Sequence, residues 1–215
     1  MNPQSKFSSR LLAVIAVCIA AGAAPAFAKT IIDEWTSVQA PPPPKLDQIT
    51  VDPKTTALLV LDLVKQTCNQ QARPRCLASL PQVAKLIKGA RDSKTFVVYS
   101  VIPGPATIAD TLPSVKPNGS EPVVKAGPDK FIGTDLEKIL KDKGIATVIV
   151  VGTTAQGAVL YTASHAALIG FNVIVPVDGM SADTPYAEQY VAWNMVNAPV
   201  VSAKVKLTAI DMLKF

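Results

Sequence analysis

The sequence is poor in aromatic and charged side chains, and these shortages narrow the classes of protein that it can encode. Of its 215 residues only 6% are aromatic and 17% are charged, whereas 49% are hydrophobic. A disordered chain combines low hydrophobicity with high charge, so that class is excluded. No glycine period and no heptad pattern is present, which excludes collagen and coiled coils. The length suits one domain with additional segments.

Basic side chains are spread along the chain without a Lys/Arg-rich block or a basic–aromatic stripe. The 21 Lys and Arg against 16 Asp and Glu give a net charge of +5, which becomes +3 (5 − 2) without the two basic residues of the first 28. This mild excess gives no reason to expect a nucleic-acid partner.

The first 28 residues have the three-part pattern of a secretory signal peptide. Lys6 and Arg10 give a positive start, residues 11–24 are an uncharged apolar run, and residues 26–28 are a small-x-small cleavage site. The run is short for a membrane-spanning helix, and no later stretch reaches the roughly 18 apolar residues that such a helix needs. An uncleaved anchor is the alternative. We expect a soluble, periplasmic mature protein that has no membrane partner after cleavage.

Two cysteines remain after the predicted cleavage, because Cys18 is removed with the signal peptide. Cys68 and Cys76 are eight positions apart, and in an oxidising compartment they are expected to form a disulfide. Closing a loop this short adds about 2–3 kcal/mol in the chain-entropy model. The alternative is a free catalytic thiol at Cys68, although a partner cysteine so near would capture it.

Strand-like and helix-like patterns alternate after a Pro-rich arm, residues 29–54, which contains four consecutive prolines. Continuous apolar runs predict buried strands, and apolar positions at helical spacing predict helices. A Thr134/Glu137 capping box is expected to open one helix. This alternation predicts an α/β domain over residues 55–215, a mostly parallel sheet with helices on both faces. The predicted strands are 56–62, 95–100, 146–151, 172–177 and 200–203, and the predicted helices are 78–91, 134–144, 158–169 and 187–197.

Three features are expected to meet where the carboxyl ends of the strands open, which is where parallel sheets bind ligands. Asp62 ends the first strand, and Lys125 follows the long loop of residues 101–124. The small-residue turn 152–157 opens a helix, so its backbone N–H groups could bind an anion.

These segments resemble the isochorismatase-like hydrolase family. The resemblance is carried by LLVLD at 58–62, by KAGPDKFIGTDLEKIL at 125–140 and by VIVVGTTAQGAVLYTASHAALIGFNVIVPVDG at 148–179. It implies a Rossmann-like three-layer sandwich, a small-molecule substrate and association into homo-oligomers. It also implies an Asp–Lys–Cys triad of the kind that hydrolyses amides such as nicotinamide.

By position in the family pattern, Asp62 takes the acid/base role, Lys125 the lysine role and Ala158 the place of the nucleophile. A methyl group cannot attack a carbonyl, so the covalent route is closed. True isochorismatases, which the sequence also resembles, have a small residue here and use the aspartate to protonate a vinyl ether. That chemistry needs an aspartate whose pKa is raised by burial. Lys125 would then hold a substrate carboxylate, although Val64 replaces a frequent glutamine of the family.

The turn and the segment before the second predicted helix supply the expected substrate contacts, namely Thr153, Thr154, Gly157 and Phe131. The resemblance also places a cis peptide bond at Thr153–Thr154. The single histidine, His165, lies within a predicted helix and is expected to be packed or at the surface rather than a ligand. No spacing supports a metal site, and we expect no metal and no cofactor.

Three functional hypotheses follow. The first is an exported hydrolase that acts without a covalent intermediate on a small, carboxylate-bearing substrate. The second is a catalytically inactive periplasmic binding protein of the same fold. The third is an enzyme that uses a relocated thiol, Cys68. Lys130 and Asp129 replace residues that are small in relatives and are expected to narrow or charge the pocket.

Overall fold

The computed structural model describes residues 28–215, so the predicted signal peptide, except for its last residue, lies outside the described part. The chain divides into a segment that ends at Ala40 and a compact body, Pro41–Phe215. The first segment contains the short helix α1 (Ile31–Glu34). Within residues 28–215, no helix combines the length and the apolar character needed to cross a bilayer.

A seven-stranded parallel sheet forms the centre of the body, and the apolar runs predicted its parallel character and four of its strands, β2, β3, β5 and β6. Its main path has the order β4-β3-β2-β5-β6-β8, and β7 pairs with β5 beyond the end of β6. A separate parallel pair joins β1 to β9. The strands are β1 (Ile49–Thr50), β2 (Thr56–Leu61), β3 (Phe96–Val101), β4 (Val123–Lys125), β5 (Thr147–Thr153), β6 (Asn172–Pro176), β7 (Met180–Ser181), β8 (Val205–Thr208) and β9 (Leu213–Lys214). The helices of the body are α2 (Pro74–Asp92), α3 (Leu136–Asp142), α4 (Leu160–Leu168) and α5 (Pro185–Asn197).

Alternate residues of the central strands pack into two hydrophobic layers, one on each face of the sheet. Leu59 of β2 and Val150 of β5 point towards α3, α4 and α5. Leu58 and Ile149 point the other way, towards α2. Successive side chains of a strand face opposite sides, so both faces of these buried strands must be covered. The predicted three-layer α/β sandwich is therefore confirmed.

Three local predictions are wrong. The strand predicted at 200–203 is a 3₁₀ turn (Val201–Ala203), and the strand begins only at Val205. The predicted loop before Lys125 ends in an unpredicted edge strand, β4. The Thr134 hydroxyl does not form the expected capping box, because it donates to Lys130 O at 2.6 Å and accepts from the Leu136 N–H at 3.2 Å.

The predicted Pro-rich arm does not stay separate over its whole length. From Pro41 onward it belongs to the compact body. The Asp47 N–H donates to Leu207 O at 2.9 Å, and β1 then pairs with the C-terminal strand β9. Residues 41–54 are therefore part of the domain rather than part of an arm.

Candidate active site

Asp62 lies directly after β2, at the carboxyl edge of the sheet. Its φ of +55° is in the left-handed region, which aspartate tolerates better than most non-glycine residues. The neighbouring strand approaches closely at this point. A Cβ on Gly152 of β5, where φ is +133°, would lie 2.1 Å from Leu61 O. A side chain cannot be accommodated there, so glycine lets the two strand ends meet beside Asp62.

The Asp62 carboxylate forms a buried ion pair with Lys130. Lys130 Nζ donates to Asp62 Oδ2 at 2.6 Å, and the Ser100 hydroxyl donates to Oδ1 at 2.7 Å. Nζ also donates to Gly127 O at 2.7 Å and to Ala126 O at 3.1 Å, so the three N–H groups of the ammonium are all used. Asp62 is 3% exposed and Lys130 is fully buried.

Burial sets the proton affinity of this carboxylate. Removal from water raises the pKa of Asp62 above its ordinary value, against the opposing effects of the Lys130 charge and of the hydrogen bonds from Lys130 and Ser100. The pKa of Asp62 is therefore raised by burial, which is the direction that the proposed acid role needs.

Lys125 does not reach this pair. It ends the edge strand β4, is exposed, and donates through Nζ to Gly104 O at 2.8 Å. In β4 the buried residue is Val124, and its neighbours on both sides point to solvent because strand side chains alternate. The expected contact between Asp62 and Lys125 is therefore wrong, and Lys130, five residues later, makes it.

The backbone around Lys130 is fixed from several sides. Its N–H donates to Thr162 Oγ1 at 3.2 Å. The neighbouring Asp129 accepts from the Phe131 N–H at 2.9 Å and contacts His165 Nδ1 at 2.6 Å. Phe131 itself is buried against His165, with 4.9 Å between ring centroids. Phe131 does not line the cavity beside Asp62, so its expected contact with the substrate has no support in the cavity geometry, whereas His165 is packed in a helix as expected.

A cavity of about 180 Å³ opens beside Asp62. It is small compared with the roughly 300–1,000 Å³ of most ligand sites, which favours a small ligand. Five of the expected residues, Asp62, Thr153, Thr154, Gly157 and Ala158, line it, whereas Lys125 and Phe131 do not. The full lining is Asp62, Thr67, Arg73, Ile102, Pro103, Gly127, Pro128, Thr153, Thr154, Gly157 and Ala158.

Among the lining residues that sequence reasoning missed, Arg73 is the charged one. It stands in the segment between β2 and α2, which starts at the same edge of the sheet as Asp62. The rule that parallel sheets bind ligands at the carboxyl ends of their strands applies to this segment as well. The rule could therefore have pointed to Arg73, because the loop after β2 starts at the same edge of the sheet as Asp62.

The turn after β5 contains a cis peptide bond between Thr153 and Thr154, at the expected position. A single π-helical turn, Ala155–Val159, then leads into α4. The N–H groups of Gly157 and Val159 both donate to Thr154 O at 3.1 Å. These two donors are therefore engaged within the turn and are not available to a ligand anion.

The two cysteines of the described chain, Cys68 and Cys76, form the predicted disulfide and are both buried. A free thiol at Cys68 is therefore not present in this structure. The cavity lining contains no cysteine, and Ala158 presents its methyl group there. Within residues 28–215 no cluster of three or more His, Cys, Asp or Glu side chains is arranged to hold a metal ion.

Comparison with known proteins agrees with the fold and with the resemblance noted in the sequence. The isochorismatase domain matches residues 56–205. A secreted isochorismatase effector, Isc1, of Verticillium dahliae is 30% identical over 113 residues, 48% of this chain and 60% of that protein. The match therefore spans less than two thirds of that relative.

Solved structures share the architecture. An isochorismatase-like hydrolase from Alkaliphilus metalliredigens superposes with a TM-score of 0.65 at 24% identity, covering 73% of this chain and 95% of the other. N-carbamoylsarcosine amidase from Thermoplasma acidophilum gives 0.61 at 23%, covering 73% and 97%. A cysteine hydrolase from Pseudomonas syringae pv. phaseolicola gives 0.67 at 17%, covering 78% and 94%. At these identities the structures establish the fold alone, but the domain match covers most of the chain, and the chain belongs to the isochorismatase family of hydrolases.

Proposed function

We propose that the protein is an exported hydrolase that acts on a small substrate without a covalent intermediate, with Asp62 as general acid/base and Lys130 as its charge partner. The observation that carries this proposal is the buried Asp62 carboxylate on the wall of a cavity of about 180 Å³ that also presents the Ala158 methyl group. An enzyme nucleophile is lacking at that place, so the bond must be broken by proton transfer and water.

The ion pair suits proton transfer. A raised pKa lets Asp62 hold and release a proton nearer to neutral pH than an ordinary aspartate would. Lys130, fixed by two carbonyl groups, stabilises the carboxylate that remains after the proton has left. The proposed donors to negative charge that develops on the substrate are backbone N–H groups of the turn at Thr154 and Ala158, two residues of the cavity lining.

Export fits the chemistry of the chain. The N-terminal pattern is that of a secretory signal peptide, and the Cys68–Cys76 disulfide persists in an oxidising compartment such as the periplasm. The relative from Verticillium dahliae is described as secreted. We propose a periplasmic location on these grounds.

The second candidate is a binding protein of the same fold that catalyses no reaction. One observation favours it: both oxygens of the Asp62 carboxylate already accept hydrogen bonds, from Ser100 and from Lys130. A carboxylate held in this way binds a proton less readily than a free one, which opposes its use as an acid.

Turnover by the Asp62→Asn variant separates the two candidates. The mature protein is first screened by thermal shift against small vinyl ethers, esters and amides, since a ligand that binds the folded state raises its stability. Asp62→Asn leaves the buried Lys130 ammonium without its anion and should be less stable, so circular dichroism first establishes that the variant is folded at the assay temperature. For a compound that is converted, the folded variant should lose about 10²–10⁴-fold in kcat, the usual contribution of a general acid/base.

Asp211→Asn is the matched control, because Asp211 is exposed and lies outside the cavity lining. It should retain wild-type turnover. Undiminished turnover by Asp62→Asn would contradict the proposed mechanism. A compound that the wild-type protein binds but never converts would instead support the binding protein.

A further inference from the structure

We propose that Arg73 determines the specificity of the cavity, by selecting small ligands that carry a carboxylate group. The inference rests on the cavity of the proposed function being a ligand site, but it does not depend on turnover. It names the chemical class of the ligand, which the Asp62–Lys130 pair leaves open.

Arg73 lines the cavity, with one guanidinium nitrogen hydrogen-bonded to the protein and another beside a carboxylate. Its Nη1 donates to Thr67 O at 2.7 Å, and its Nε lies 2.8 Å from Asp183 Oδ1. Within residues 28–215 neither Nε, which is buried, nor the third nitrogen, Nη2, makes a hydrogen bond, although Arg73 lines the cavity and its side chain is only 21% exposed. A guanidinium with unused N–H groups in a confined space favours a planar anion such as a carboxylate.

The charges around the cavity favour the same ligand. The Asp62 charge is balanced by Lys130 at 2.6 Å, so this pair contributes little net field. The Asp183 side chain is 54% exposed and does not line the cavity. Solvent therefore weakens the attraction between Asp183 and Arg73 more than it weakens the attraction between Arg73 and an anion inside the cavity. Arg73 also immediately precedes the 19-residue helix α2, whose first turn adds partial positive charge.

The disulfide fixes Arg73 in this position. Cys68 and Cys76 bracket the loop, and the Arg73 N–H donates to Asn69 O at 2.8 Å. The Asn69 side chain accepts from the N–H groups of Ala72 at 2.8 Å and of Gln71 at 3.1 Å. A loop held by a crosslink and by its own hydrogen bonds loses little entropy when a ligand binds, so Arg73 is preorganised.

A purely structural role for Arg73, as the partner of Asp183, makes a different prediction. In that case loss of either partner should perturb the loop in the same direction. If Arg73 binds the ligand, the two substitutions change carboxylate affinity in opposite directions. Removing Arg73 removes the group that binds the carboxylate, whereas neutralising Asp183 frees the guanidinium for the ligand.

The test measures equilibrium binding by calorimetry to the mature, unreduced protein. The probes are pyruvate and benzoate, each compared with the neutral amide of the same shape, pyruvamide or benzamide. The wild-type protein should bind at least one carboxylate more tightly than its amide. Arg73→Gln should reduce this preference about 10–100-fold, since a hydrogen bond to a charged group contributes roughly 1.5–3 kcal/mol. Arg73→Lys should retain part of it.

Two further variants complete the test. Asp183→Asn should strengthen carboxylate binding. Arg75→Gln is the matched control, because Arg75 lies two residues away at the start of α2 but outside the cavity lining, with Nε 2.8 Å and Nη2 2.5 Å from the Glu188 carboxylate. It should leave the preference unchanged. Lack of any carboxylate preference in the wild-type protein, an unchanged preference in Arg73→Gln, or an equal loss in Arg75→Gln would overturn the inference.

Failure of this inference can be told apart from failure of the proposed hydrolase. Carboxylate binding that depends on Arg73, with no conversion of any compound, would support the inference and refute the hydrolase. Conversion of a neutral compound that depends on Asp62 and is indifferent to Arg73→Gln would do the reverse.

Discussion

Replacing Lys130 with methionine should lower the free energy of unfolding by about 4 kcal/mol at neutral pH. Removing one partner of a buried ion pair typically costs about 3–5 kcal/mol, because the other charge stays buried without compensation. Here Lys130 is fully buried and the Asp62 side chain is 4% exposed. The variant also leaves Ala126 O and Gly127 O without their hydrogen bonds from Nζ, so we expect a value in the middle of that range or above.

The loss should depend on pH with a defined sign. The pKa of Asp62 is already raised in the folded protein, and loss of the Lys130 charge, which lowers it, should raise it further. The folded variant then binds a proton more tightly than the unfolded chain does. Its stability should therefore increase as pH falls from above the raised pKa towards the ordinary aspartate value, and decrease as pH rises through that window.

Denaturant unfolding of the unreduced protein at several pH values measures both effects. For a chain of this size, about 4 kcal/mol corresponds to a decrease in Tm of roughly 8–16 °C. Lys125→Met is the matched control, because its ammonium is exposed and donates only to Gly104 O, and it should change stability by less than about 0.5 kcal/mol. The double variant Asp62→Asn/Lys130→Met should recover part of the loss. Wild-type stability of Lys130→Met at neutral pH, or equal losses in Lys125→Met, would refute this reasoning.

Two further substitutions test structural features next to the cavity, the disulfide and the close approach of β2 and β5. Replacing Cys68 and Cys76 with serine should cost about 2–3 kcal/mol, the chain-entropy value for so short a loop, and wild-type stability of the variant in denaturant would contradict it. Gly152→Ala should destabilise the protein by at least about 3 kcal/mol, because its Cβ would lie 2.1 Å from Leu61 O at a φ of +133°. Thermal unfolding measures this loss of stability. Gly119→Ala is the control, because Gly119 also has a positive φ but no close contact, and it should destabilise the protein less. Equal destabilisation by the two substitutions would show that the close approach to Leu61 O is not the cause.

Most of the fold could be predicted because its core strands are continuous apolar runs. Such runs are buried on both faces, and their alternation with helices leaves a parallel sheet as the main solution. The prediction failed where short elements depend on their neighbours. Val200 adopts a φ of +67° and starts a 3₁₀ turn, although valine favours strands, and β8 follows from Val205. The three-residue strand β4 exists only because it pairs with β3, which no local pattern reveals.

The site was predicted unevenly for a related reason. Asp62 ends a buried strand, and that position alone brings it to the carboxyl edge of the sheet. Choosing between Lys125 and Lys130 required knowing which of them points inward, and that depends on the edge strand and on the carbonyl groups of Ala126 and Gly127. Arg73 lies among polar residues with no apolar period, so its approach to the cavity follows from tertiary structure.

The parallel ladder between β1 and β9 has a mechanical consequence. Ile49 pairs with Leu213 and Thr50 with Lys214, so the chain enters β1 at one end of the ladder and leaves β9 at the opposite end. Tension applied between Gln48, just before β1, and Phe215 would load these hydrogen bonds in shear, all at once, rather than opening them one after another. The force at which the body yields would then report the rupture rate of this small clasp before that of the large sheet.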